Sequence, residues 1–221
     1  MSFQKARIAL AVFVLLPGLS FAAVSPEMKA WGDGPAKYWM TDEERKDWQS
    51  IDSDETAQRF IDLFWAKRDP DLEKPGNPFR ARFKALVSYA DENVSEPATP
   101  GSMSDRGKFL ILFGPPFKII STGRPASEVS LSKPPTIGNE VRDLQDLATQ
   151  AWTWDKERLP PVATKSFRIV FTDQFSAGRY KFERHLTTSN IDDLVRKAVQ
   201  QAIVHPELKS APPPAAQTPP P

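Results

Sequence analysis

Between Thr41 and Val94 apolar residues recur at helical spacing in successive runs, and beyond Gly101 the period shortens towards that of strands. Thr41 followed by Glu44 forms a capping box, with Asp42 and Glu43 in the first turn, so a short helix is expected over Asp42 to Ser50. A second helix starts after Asp52 or Ser53 and places Ala57, Phe60, Ile61, Phe64 and Trp65 on one stripe. It must stop near Arg68, because Pro70 pushes Asp69 out of the α region. Asn77 and Pro78 open a third helix, with Phe79, Phe83, Leu86, Val87, Ala90 and Val94 on its buried side.

The second half reads differently. Phe109 to Phe113 is apolar at every position and is expected to be a central strand covered on both faces, entered through Asp105-Arg106 and ended by Gly114-Pro115-Pro116. Lys118 to Ser121 is a short returning strand, Gly123 to Gly138 a long loop, and Asn139 to Leu147 a brief helix. Strands follow at Ala151 to Asp155, Ser166 to Asp173 and Arg179 to Arg184, the last two joined as a hairpin. Asn190 is expected to cap a final helix with Ile191, Leu194, Val195, Ala198 and Ile203 on its apolar side. Helices first and strands afterwards define an α+β fold: N-terminal helices packed on a small, mostly antiparallel β-sheet, with a C-terminal helix.

The ends add a compartment to this picture. Lys5 and Arg7 precede the apolar run Ile8 to Leu16, and Ser20-Phe21-Ala22 supplies small residues at both recognition positions of a signal peptidase. Residues 1–22 are therefore expected to be a signal peptide, cleaved after Ala22. A run that short does not cross a bilayer core of about 30 Å, so no mature transmembrane segment is expected. Residues 23–36 are then a linker, 37–205 the domain, and 206–221 a proline-rich tail with nothing to bury, expected to be disordered.

Composition excludes several chemistries. Removing Lys5 and Arg7 takes the formal charge from +1 to −1, with signs interspersed, which argues against a nucleic-acid partner. Zero cysteines remove disulfides, thiol nucleophiles and thiolate metal sites. The two histidines, His185 and His205, form no ligand pair. The acidic starts at Asp52 and Asp69 lack the glycine and the final glutamate of a calcium loop. Asp105-Arg106-Gly107-Lys108 has a single glycine and is not a phosphate loop. No cofactor and no catalytic residue emerge. A pair of carboxylates could still serve a hydrolase, but among 28 acids spacing singles out none.

Four blocks occur in order: Tyr38-Trp39-Met40-Thr41-Asp42, Phe64-Trp65-Ala66-Lys67-Arg68-Asp69-Pro70, Asp105-Arg106-Gly107-Lys108 and Phe113-Gly114-Pro115-Pro116. Together they resemble the GWxTD domain, over roughly Lys37 to Arg184, with Tyr38 standing where that family has glycine. The resemblance implies an exported bacterial domain of unknown biochemical role and offers no catalytic residues to carry over. On these blocks the candidate binding residues are Trp39, Thr41, Asp42, Arg68, Asp69, Asp105 and Arg106. Each also has a structural reading as a helix cap, a core side chain or a charged junction. Arg68-Asp69 and Asp105-Arg106 are expected to meet as reciprocal ion pairs between helix end and strand start. The functional expectation is a non-catalytic module of the cell envelope that binds an envelope protein or a cell-wall component. The alternative is a carboxylate-based hydrolase acting on envelope glycans or peptides.

Overall fold

Side-chain caps set the helical half of the molecule. In the computed structural model, which describes residues 24–123, 148–155, 165–173, 175, 177–188 and 190–208, Ser25 caps helix α1 (Pro26–Asp33) and Thr41 caps α2 (Asp42–Gln49). The Thr41 hydroxyl accepts the Glu44 N–H at 3.1 Å while the Glu44 carboxylate accepts the Thr41 N–H at 3.0 Å, the reciprocal box expected. Ser53 and Thr56 do the same for α3 (Asp54–Ala66), and the Asn77 side chain accepts the Arg80 N–H to open α4 (Pro78–Asn93).

Residues 23–36, expected as a linker, instead carry α1. Its Ser25 N–H donates to Asp54 at 2.6 Å, and Trp31 inserts among Trp48, Phe60, Phe64 and Trp65 with ring centroids 5.1–6.2 Å away. Gly32 is needed there, because any Cβ would collide with the Trp48 indole. A 3-10 turn over Pro35–Trp39 leads from α1 into α2.

The largest correction concerns Phe109 to Phe113. These residues are not a strand but the second half of helix α5 (Asp105–Phe113), capped by Ser104, whose hydroxyl accepts the Gly107 N–H at 3.0 Å. An apolar run of five suits a buried helix as well as a buried strand, and this helix is enclosed on every side. Gly107 permits that enclosure: a Cβ would run into the Gly101 carbonyl. Asp105 and Arg106 therefore open a helix instead of leading into a sheet.

The sheet is antiparallel throughout, in the order β1 (Lys118–Thr122), β2 (Ala148–Trp154), β3 (Phe167–Asp173), β4 (Lys181–Phe182). The strand expected over Arg179 to Arg184 shrinks to β4, because a 3-10 turn at Arg184–Leu186 ends it. Register places Gln150, Trp152 and Trp154 opposite Phe171, Ile169 and Phe167 on one face. Helix α5 lies across that face, with Phe109 5.9 Å from Phe171 and Phe113 5.0 Å from Phe167. Its other side meets α4 and the C-terminal helix α6 (Ile191–Gln201). Asn190, expected as the cap of α6, sits left-handed at φ 73° and makes no side-chain cap. The result is the expected α+β architecture, with α5 as a central layer that the sequence pattern assigns to the sheet.

The expected signal peptide, the helix at Asn139 to Leu147, the proline-rich run of the tail and all but Gly123 of the loop at Gly123 to Gly138 lie outside the described residues. Among the described residues, no helix is long and apolar enough to cross a membrane.

Candidate functional site: the Trp39 turn and its flanking clefts

The seven candidate residues fall into two centres and a surface. Trp39, Thr41 and Arg68 are joined by a residue outside that set, Glu44. Arg68 donates through Nη1 to Glu44 Oε1 at 3.0 Å and to the Phe64 carbonyl at 3.0 Å. Its Nη2 reaches Glu44 Oε2 at 2.7 Å and the Trp39 carbonyl at 2.6 Å. The guanidinium lies 3.8 Å over the Phe64 ring, and Lys67 stands 3.8 Å from Glu44. Burial alone would raise the Glu44 carboxyl. The hydrogen bond and charge of Arg68, the Thr41 N–H and the charge of Lys67 together hold it below its ordinary 4.5. Glu44 could have been found in the sequence, since the capping box already directs its carboxylate towards Thr41.

Asp42 is exposed and, among the described residues, pairs with Arg45 at 3.1 Å. Tyr38, where the resembled family has glycine, sits in the 3-10 turn without a positive φ, so the freedom that glycine would bring is not used here.

The second centre gathers at the start of α5. Asp105 accepts the Phe182 N–H at 2.9 Å and ties α5 to β4. Arg106 reaches Glu96 and the Val94 carbonyl at 3.5 Å and Gln150 at 3.4 Å, with the Tyr180 ring 4.2 Å from its guanidinium carbon. Asp69 holds the Asp71 N–H at 3.2 Å and closes the Asp-Pro turn. The expected reciprocal pairing of Arg68-Asp69 with Asp105-Arg106 does not form. Each arginine has a glutamate of its own, Glu44 for Arg68 and Glu96 for Arg106, because the helical α5 carries Arg106 to the Glu96 side.

The buried carboxylates of both centres are engaged. Glu96 accepts the Tyr180 N–H at 3.0 Å, and Asp173 accepts the N–H groups of Ala177 and Gly178 at 3.0 and 2.7 Å. Among the described residues, no three histidine, aspartate or glutamate side chains gather where a metal could sit.

Open concave surface lies on either side of the Trp39 turn. A cleft of about 320 Å³ separates the start of α2 from α6 and is walled by Tyr38, Thr41, Asp42, Arg45, Asp192 and Arg196. Asp42 pairs there with Arg45, while Asp192 and Arg196 pair with Arg184 and Asp193 outside the cleft. The Tyr38 hydroxyl, pushed up to about 12 by burial and by Asp105, stays protonated there.

The other cleft, of about 220 Å³, is apolar. It is lined by Trp39, by Phe79, Phe83 and Leu86 of α4, by Ile111 and Leu112 of α5, by Ala198 of α6 and by Ala202 just beyond that helix. Helix α4 buries only Ala90 completely and leaves Phe79, Phe83 and Leu86 half covered, and the small side chains of Ala198 and Ala202 line the same cleft. Arg82 and Gln201 supply its polar side chains, while the Trp39 indole N–H is itself buried without an acceptor. Sequence reasoning singled out Trp39 and found the apolar residues of α4, but treated them as core and passed over Arg82. Comparison with protein-family models, with curated proteins and with solved structures finds no match to this chain, so the GWxTD resemblance rests on its four residue blocks alone.

Proposed function

We infer that the protein is an exported, GWxTD-like binding module of the cell envelope, without catalytic activity, which holds its ligand in the apolar cleft between α4 and α6. The observation that carries this reading is an open cleft lined by three aromatic rings and five aliphatic side chains next to the Trp39 turn. Apolar surface left uncovered in a concave site favours a ligand that removes it from water. The buried carboxylates that could serve a hydrolase are instead spent on backbone N–H groups and arginines, which favours the binding reading over the alternative.

The test is a photoreactive phenylalanine analogue placed at Phe83, on the cleft wall, and at the exposed Gln49 of α2, in cells producing the protein. A reproducible adduct from position 83, absent from position 49, is the expected outcome. Equal adducts from both positions, or none from position 83, would refute the assignment of the cleft.

A further inference from the structure

We propose that Asn93, at the end of α4, is a site of N-linked glycosylation whose side-chain amide receives an oligosaccharide in the envelope. This rests on the reading of the chain as exported and adds a modification to it.

Sequence is the first argument. An asparagine followed two residues on by serine or threonine, with any residue except proline between, is the acceptor signal for N-linked sugar in secreted proteins. The chain has four asparagines, and Asn93-Val94-Ser95 alone meets that rule. Asn77 is followed by Pro78, while Asn139 and Asn190 have Val141 and Asp192 where the hydroxyl is required. Asp91, two places before Asn93, adds the acid that the bacterial form of the signal carries.

Geometry is the second argument. The two side chains that a transferase must reach, Asn93 and Ser95, are both exposed, while Val94 between them is buried. Asn93 is the last residue of α4. Val94 leaves the helical conformation at φ −133° and ψ 23°, so the chain bends there and the Asn93 amide stands at a corner. The bonds that hold this corner are local. Asn93 Nδ2 donates to the Tyr89 carbonyl at 2.8 Å, and the Ser95 hydroxyl donates to the Asp91 carbonyl at 2.6 Å and accepts the Gly101 N–H at 3.0 Å. Exposed bonds at a helix end fray and are replaced by water, so a transferase can open this corner without entering the core. Tyr89, four residues earlier and on the same side of the helix, is 42 % exposed. Its ring offers an apolar surface against which the first sugar can lie.

The donor is an oligosaccharide joined through pyrophosphate to a membrane polyprenol. A bond forms between Asn93 Nδ2 and C1 of the first sugar as the C1–O bond to the pyrophosphate breaks. Polyprenyl pyrophosphate leaves with the electron pair, and one amide proton passes to a base of the transferase.

The experiment is mass spectrometry of the chain purified from the envelope of the cells that naturally produce it. Two peptides are read, the N-terminal one and the one that contains Asn93. The expected result is a chain that begins at Ala23 and carries sugar on Asn93. Asn93→Gln and Ser95→Ala should lose the sugar, and Ser95→Thr, which keeps the signal, should retain it. Thermal melts of the three variants establish that each is folded.

A chain that begins at Ala23 with Asn93 bare would overturn the proposal and leave export standing. A chain that still carries Met1 with Asn93 bare would overturn both. Sugar that persists in Asn93→Gln or in Ser95→Ala would overturn the assignment of the site.

Discussion

Arg68 and Glu44, twenty-four residues apart in the chain, meet in a fully buried fork in which both guanidinium Nη atoms contact a carboxylate oxygen, at 3.0 and 2.7 Å. This pair clamps the end of α3 to the start of α2, and the Trp39 carbonyl joins it at 2.6 Å. Removing one member strands the other charge out of water. Arg68→Ala is expected to cost about 3–5 kcal/mol in urea unfolding. Arg68→Lys should recover little, since an ammonium cannot make the two parallel bonds or lie flat on Phe64. Replacing both residues by apolar ones of similar size should cost less than Arg68→Ala alone.

The same pair predicts a pH dependence. The Glu44 carboxyl is held below its ordinary 4.5 in the folded state, so the unfolded chain binds its proton more readily. The stability contributed by this depression is complete above 4.5 and is lost as the pH falls through the lower, folded value. Thermal melts at a series of pH values should show Tm falling below pH 4.5, with a shallower fall in Glu44→Gln. A fall of the same steepness in both proteins would remove Glu44 from the account.

Helix α1 belongs to the folded unit because Trp31 closes the aromatic cluster over α2 and α3. Trp31→Ala should cost about 2 kcal/mol, less than a fully enclosed tryptophan, because its ring stays partly exposed. Denaturant unfolding with unchanged m-value is the measurement. A change within about 0.5 kcal/mol would return residues 23–36 to the role of a linker.

Much of the fold was legible where two signals coincided. The capping box located α2, a cap residue followed by a 3.6-residue stripe located α3 and α4 to within a residue or two, and alternation located β3. Where only one signal was present the reading was weaker. Phe109 to Phe113 has no polar position to reveal a period, and the decisive mark, Ser104 capping through Gly107, lies upstream of the run. Asn190 resembles a cap in sequence, yet adopts a left-handed turn that leaves its side chain unused. The candidate site was legible in part. The blocks around Trp39 and Arg68 did converge, but through Glu44, because the α3 helix turns Arg68 inward while the next residue, Asp69, closes the turn. The cleft itself depends on how far α4 stands from α6, a distance between elements 100 residues apart that no local pattern encodes.

The most direct test of the cleft as the working surface is the yield of the Phe83 photo-adduct in Ala202→Phe. Ala202 is a half-buried residue just beyond α6 and lines the cleft without joining the Arg68–Glu44 fork or the Arg106 cluster. Its replacement should leave the thermal midpoint within about 3 °C, the shift that roughly 1 kcal/mol produces in a domain of this size. The account predicts that this folded variant loses the adduct. A folded Ala202→Phe that forms the adduct in the yield of the parent chain would contradict it.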